Sequence, residues 1–225
     1  MTNMRVLVIA PHPDDETLGC GGTLLKHKAA GDSVSWLIVT RGHEPQWSAE
    51  VLGNKEGEIE RVAAAYEFEQ IFRFDYPATL IDTLSQAEII ASVSRVVAEA
   101  RPHSVYLNHA GDVHSDHRIV FDSVMSAMKP FYSSRHGVKR ILSYETLSST
   151  EAAPPDPMRA FLPTVFCDIT NFIERKLEIM SLYRTETQPY PLPRANESIR
   201  ALARFRGASI GVEYAEALML IRDVV

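Results

Sequence analysis

The sequence is short of cysteine, of long apolar runs and of clustered positive charge. Its two cysteines, Cys20 and Cys167, are far apart and form no CxxC pair, which argues against a disulfide framework or a thiolate metal site. No apolar stretch reaches the roughly 18 residues of a membrane span, so we expect none. Lys and Arg number 23 against 29 Asp and Glu, and the resulting charge of −6 makes binding to nucleic-acid phosphates unexpected.

The remaining composition is that of an ordinary globular chain, with 45% hydrophobic and 23% charged residues. A length of 225 residues favours a single domain over 1–225. The first residues lead directly into an apolar segment at 6–10, without the hydrophobic stretch and cleavage site of a secretory signal. We therefore expect a cytoplasmic protein with reduced cysteines.

Short apolar runs alternate with amphipathic segments through the first half of the chain. The run at 5–10 is almost wholly apolar, which is typical of a strand buried on both faces. The pattern predicts further strands at 34–39, 70–74 and 104–107, and helices at 17–30, 49–66 and 86–99. Such alternation predicts a Rossmann-like, three-layer α/β/α fold with a mostly parallel sheet.

From about residue 150 the rhythm changes. Proline-containing loops at 152–157 and 189–193 flank a predicted helix at 171–183, and an apolar run follows at 217–221. We expect this part to cover the active-site face rather than to form a second domain, because loops at strand ends carry functional residues.

A charged cluster follows the first predicted strand, in the segment Pro11-His12-Pro13-Asp14-Asp15-Glu16. Ligands of parallel α/β proteins sit at the carboxyl ends of the strands. Three carboxylates so close repel one another, and a divalent metal bound by His12 and one Asp would resolve that conflict. The following Gly19-Cys20-Gly21-Gly22 matches neither of the phosphate-binding motifs GxGxxG and GxxxxGK[ST]. We therefore expect these glycines to allow close helix–sheet packing.

A second cluster follows the strand at 104–107. His114 and His117 are three residues apart, so both imidazoles face one way on the first turn of a helix. Together with Asp116 and the first cluster they make the inventory of a catalytic zinc site, with three protein ligands and one open position. The imidazoles favour zinc or another divalent transition metal over magnesium or calcium.

These two segments resemble the PIG-L/LmbE-like zinc-dependent de-N-acetylases. Pro11 to Glu16 matches that family's [A/P]HPDDE motif, and His114-Ser115-Asp116-His117 matches its HxDH motif. Further segments at 143–145 and 206–217 are also similar, so the resemblance spans nearly the whole chain.

The resemblance implies a role for each motif residue. His12, Asp15 and His117 would be the zinc ligands, and Asp14 would be the general base. A base that accepts a proton from metal-bound water fits a carboxylate that is adjacent to a ligand without coordinating.

His114 would be the acid or electrostatic partner, oriented by Asp116, which would favour its imidazolium form. Asp112 and Tyr190 are the candidate substrate-binding residues, Tyr190 as the hydrogen-bond donor that completes the oxyanion site in relatives. Many members have proline where this chain has Ser115, and the residues before His114 also depart from their pattern.

The leading hypothesis is a Zn²⁺-dependent hydrolase that removes the acetyl group from the nitrogen of an N-acetylated amino sugar or its conjugate. A homo-oligomer is implied by the resemblance alone. One alternative is an amidase acting on a larger acyl group or a thiol-conjugate amide. Another is a non-catalytic binder of metal or nucleotide sugar, which would need His12 and Asp15 but no second carboxylate at Asp14.

Overall fold

Seven strands form one sheet in the order β3-β2-β1-β4-β5-β7-β6, in a computed structural model that describes residues 3–225. The strands are β1 (Arg5–Ala10), β2 (Ser33–Arg41), β3 (Gln70–Pro77), β4 (Ser104–Asn108), β5 (Arg140–Tyr144), β6 (Val165–Asp168) and β7 (Ala215–Asp223). The helices are α1 (Asp15–Ala29), α2 (Ala49–Tyr66), α3 (Gln86–Ala100), α4 (Ser115–Ala127), α5 (Pro130–Ser133), α6 (Ile173–Met180) and α7 (Asn196–Ala208).

The predicted three-layer α/β/α fold is confirmed. Strands β1 to β5 pair in parallel, whereas β7 pairs antiparallel with β5 and with β6. The sequence patterns did not predict β5 and β6, which are short strands. The helix predicted at 171–183 is present but spans only Ile173–Met180, as α6. None of the helices between residues 3 and 225 is long and apolar enough to cross a membrane.

Strand β1 lies at the centre and is buried on both faces. Val6 and Val8 belong to an apolar cluster with α1, α2, α6 and α7, and Leu7 and Ile9 belong to a second cluster with α3 and α4. Burial on both faces removes the polar alternation of a half-exposed strand. This explains the apolar run that opens the chain.

Helix α1 is broken at Cys20, whose φ of −143° and ψ of 21° are not helical. A Cβ on Gly19 would overlap the Tyr144 ring, and one on Gly22 would lie 2.8 Å from Ile169. Both contacts are too short for a real side chain, so the glycines let α1 pack closely on its neighbours, as the sequence predicted.

A buried ion pair closes the break in α1. Glu216, on β7, accepts hydrogen bonds from the backbone N–H groups of Gly22 and Thr23 at 2.8 and 2.7 Å, as an N-cap does. Lys176, on α6, donates to Glu216 at 2.7 Å and to the Leu18 carbonyl at 2.9 Å. The two side chains therefore satisfy backbone groups on both sides of the break.

Replacing Glu216 with alanine should lower the free energy of unfolding by about 3–5 kcal/mol, because Lys176 would remain buried without its partner. Chemical denaturation of the variant and the wild type measures this difference. Glu213→Ala, at an exposed position three residues earlier, is the matched control and should change stability little. Equal stability of both variants would show that the ion pair does not hold the break.

Candidate active site

Two turns at the carboxyl edge of the sheet bring the charged motifs together. Residues 11–14 join β1 to α1, and residues 109–114 join β4 to α4. The two strands are adjacent and parallel, so both turns open on the same side. They border a cavity of about 560 Å³ whose lining includes His12, Asp14 and His117.

Three donor atoms form a nearly equilateral triangle. His12 Nδ1 lies 3.3 Å from Asp15 Oδ2, His117 Nε2 lies 3.3 Å from the same oxygen, and the two ring nitrogens are 3.3 Å apart. The structure thus brings together the three residues that the resemblance implies as ligands.

A carboxylate also holds the far side of each imidazole. His12 Nε2 lies 2.9 Å from Asp116 Oδ2, and His117 Nδ1 lies 2.7 Å from Asp112 Oδ2. Asp116 in turn accepts the Thr79 backbone N–H at 2.8 Å. Metal-binding histidines are usually oriented by such a carboxylate, which fixes the tautomer and aims the free nitrogen at the ion.

The donor set fits a tetrahedral transition metal. Ligands at about 2.0–2.1 Å from a tetrahedral zinc ion are separated by roughly 3.3–3.4 Å, the spacing seen here. A second set of possible ligands consists of one ring nitrogen from each of His12, His114 and His117, which lie within 4.8 Å of one another. The three atoms of the triangle with Asp15 are 3.3 Å apart, so we take the triangle as the metal site.

The surrounding carboxylates favour positive charge at the triangle. Burial opposes protonation of His12 and His117, yet hydrogen bonds and charges from the neighbouring Asp side chains raise the pKa values of these imidazoles to about 9 and about 10. Burial would raise the pKa of Asp15, but His117 and His12 hold it below its usual range. A metal cation bound at the triangle would supply the positive charge that these carboxylates favour.

Asp14 has its own surroundings, although it is next to Asp15 in the chain. Its φ of 141° is rare for a residue with a side chain. Its backbone N–H donates to Glu16 Oε2 at 3.2 Å, and its Oδ2 accepts from Arg194 Nη1 at 3.1 Å. Burial and the negative charges of Asp15 and Glu186 raise the pKa of Asp14 to about 7.

Arg194 and Glu186 were not found from the sequence. Arg194 binds Asp14 and Glu186 through the same nitrogen, and Lys55 donates to Glu186 at 2.6 Å. These residues come from α2 and from the proline-containing loop before α7. The only signal was the presence of charged residues among those prolines, and no periodicity connected them with a motif 180 residues away.

His114 differs from the expectation. Its Nδ1 accepts the Asp116 backbone N–H at 3.2 Å, whereas the Asp116 carboxylate lies 2.9 Å from His12 Nε2, so this carboxylate favours an imidazolium at His114 only through its charge. Burial and the neighbouring charges of His12 and His117 lower the pKa of His114 to about 4. His114 is therefore a neutral imidazole with its proton on Nε2.

Neither of the two residues expected to bind substrate lines the cavity. Asp112 is 1% exposed, with one oxygen on His117 and the other accepting from Thr150 Oγ1 at 2.6 Å. It lies behind the imidazole and does not line the cavity. Tyr190 is 70% exposed and is not among the lining residues either.

Residues 7–128, just over half of the chain, match the PIG-L family, described as GlcNAc-PI de-N-acetylase. The chain belongs to this family. The diacetylchitobiose deacetylase of Thermococcus kodakarensis is 24% identical over 242 residues, covering 98% of this chain and 84% of that protein.

Two solved structures share the fold over nearly the whole chain. The conserved protein TT1542 from Thermus thermophilus gives a TM-score of 0.76 at 26% identity, covering 99% of this chain and 96% of that one. GalB, the 4-carboxy-2-hydroxymuconate hydratase from Pseudomonas putida, gives 0.74 at 18% identity, covering 99% and 98%. The second likeness shows the fold alone.

Asp112→Asn should weaken binding of a divalent metal by about 10- to 100-fold, because it removes the carboxylate that orients His117. Competition with a chromogenic chelator measures the affinity. Asp122→Asn, at an exposed position on the helix that carries His117, is the matched control and should bind metal as the wild type does. Unchanged metal affinity with a raised KM would instead support the substrate-binding role that the sequence indicated for Asp112.

Proposed function

We propose that this protein is a metal-dependent N-deacetylase of N-acetylated amino sugars or their conjugates. The observation that carries the proposal is the different placement of the Asp14 and Asp15 carboxylates. One carboxylate completes a triangle with two imidazoles, while its neighbour in the chain faces the same cavity without joining that triangle. A site for metal binding alone has no need of the second carboxylate.

The family and the diacetylchitobiose deacetylase relative support deacetylation as the reaction class, and the cavity supports a sugar-sized substrate. Its volume of about 560 Å³ is within the usual range for small-molecule sites. Its lining includes the apolar side chains of Trp47 and Leu52 as well as charged residues, among them those of the first motif. An acetamido sugar offers both an apolar ring face and polar groups to such a cavity.

The ligands of the metal in this proposal are His12, Asp15 and His117. A divalent metal such as zinc would supply Lewis-acid chemistry there, making a water molecule acidic and polarising the acyl oxygen. Asp116 and Asp112 keep the two imidazoles oriented from behind.

Asp14 acts as the general base. It is held beside the triangle by Arg194 and by its own backbone hydrogen bond to Glu16. It takes a proton from the attacking water and passes it to the nitrogen that leaves as the amine, because an amide nitrogen departs poorly without a proton.

His114 acts as a neutral hydrogen-bond donor rather than as an imidazolium acid. The Asp116 N–H occupies its Nδ1, which leaves the Nε2 proton for the substrate. A fixed donor of this kind stabilises charge that develops on the acyl oxygen during attack. The contact with the acyl oxygen that the resemblance implies for Tyr190 stays a separate prediction.

Asp14→Asn should keep the metal and lose turnover by about 10²- to 10⁴-fold, because it removes the base and leaves the ligands in place. Acetate release and metal content are measured on the same preparation. Asp122→Asn, an exposed carboxylate on α4 that does not line the cavity, is the control and should retain activity. Loss of metal from the Asp14 variant would overturn the assignment of the two aspartates.

The substrate class is tested with a panel that contains N-acetylglucosamine, N,N′-diacetylchitobiose and anionic N-acetylglucosaminides. We expect the zinc-loaded protein to release acetate from at least one of them, a chelator to abolish the activity, and added zinc to restore it. Release of a larger acyl group, with none of acetate, would favour the amidase alternative. No amide hydrolysis at all by the metal-loaded protein would favour the non-catalytic binder.

A further inference from the structure

Two buried polar atoms in the cavity wall have no hydrogen-bond partner among residues 3–225. They are the hydroxyl oxygen of Thr146 and the Nε of Arg194, and both residues are among those that line the cavity. Thr146 is 2% exposed, so its hydroxyl has been taken from bulk water without receiving a bond in return. Buried polar groups are nearly always paired, and an unpaired one at a ligand cavity points to a bond that the ligand supplies.

Thr146 is fixed close to the metal triangle by a chain of hydrogen bonds. Its backbone N–H donates to Thr150 Oγ1 at 2.8 Å, Thr150 donates to Asp112 at 2.6 Å, and Asp112 holds His117. The residue follows the carboxyl end of β5, next to β4 in the sheet. Its position is therefore set by the same elements that set the ligands.

Arg194 is fixed on the other side, by Asp14. One of its terminal nitrogens serves both Asp14 and Glu186, and the Nε–H is left without a partner in the described part of the chain. A guanidinium is a donor only, so the missing partner must be an acceptor. Asp14 acts on a water that attacks the acyl carbon, so a substrate placed for that attack brings its acyl oxygen toward the guanidinium that binds Asp14.

We propose that Thr146 and Arg194 are substrate-binding residues at the reacting end of the cavity, a proposal that rests on the proposed function. Arg194 donates its Nε–H to the acyl oxygen. The Thr146 hydroxyl, which can donate and accept, binds the amide N–H or the sugar hydroxyl beside it. The two unpaired atoms thus bind the substrate at the acylamino group or directly beside it, whatever the rest of the conjugate is.

Thr146→Val tests the proposal, because valine keeps the shape of threonine and removes only the hydroxyl. Removal of an unpaired buried hydroxyl should leave the melting temperature unchanged or raise it. The loss of one substrate hydrogen bond should lower kcat/KM by roughly 3- to 15-fold. A residue with a purely structural role would not combine unimpaired stability with weaker catalysis.

Ser123→Ala is the matched control. Ser123 is fully buried in α4, its hydroxyl also has no partner among the described residues, and it does not line the cavity. The variant should keep both its melting temperature and its kcat/KM. A fall in kcat/KM similar to that of Thr146→Val would mean that burial of an unpaired hydroxyl, rather than contact with substrate, explains the effect.

Calorimetric binding of N-acetylglucosamine and N,N′-diacetylchitobiose in the Asp14→Asn background gives a readout without turnover. We expect Thr146→Val and Arg194→Lys each to weaken binding, since lysine keeps the charge but lacks the Nε–H. Equal affinity with and without Thr146→Val, or no binding to the parent, would overturn the proposal. A wild type that binds these sugars through Thr146 but releases no acetate would overturn the proposed function and leave this inference standing.

Discussion

The backbone of Asp14 is the constraint on which the site depends. A φ of 141° costs about 1–3 kcal/mol for a residue with a side chain, and such strain persists only where neighbours enforce it. Here Glu16 enforces the Asp14 conformation, because its Oε2 accepts the Asp14 N–H. The Oε1 of Glu16 accepts from the hydroxyls of Tyr183 and Thr17 at 2.7 and 2.5 Å. Burial raises the pKa of Glu16 to about 7, and these donors oppose the rise. Three consecutive acids thus reach three different sets of partners.

The last third of the chain also contacts this turn and the helix that follows it. Tyr183 follows α6, Arg194 precedes α7, and Glu216 on β7 caps the second part of α1. Each of these side chains is buried or half-buried against the segment from Asp14 to Thr23. The last third of the chain thus adds contacts to the first motif and to α1, and it also lines part of the cavity.

The sequence predicted what depends on local pattern. The spacing of apolar residues and the length of apolar runs predicted β1 to β4 and α1 to α3, because the buried face of each element depends only on residues within that element. Motif spacing predicted which side chains would meet at the strand ends. The partner of each motif residue could not be predicted in the same way, and the Asp116 carboxylate shows why. It is two residues from His114 but bonds to His12, 104 residues away, because the first turn of α4 points it toward β1.

The same reasoning explains why the likeness to a hydratase leaves the chemistry open. Strand order and layer packing bring two turns of this chain to one edge of the sheet, and the likeness to the hydratase extends to the fold alone. The reaction depends on how charge is arranged within those turns. Here one carboxylate is buried against two imidazoles and its pKa is lowered, while its neighbour is buried beside like charges and its pKa is raised. In the proposed function, this difference between two adjacent aspartates leaves Asp15 to bind a metal and Asp14 to move a proton. The backbone at Asp14, with its φ of 141°, sets the direction of one side chain, whereas Asp15 already begins α1 and directs the other toward the two imidazoles.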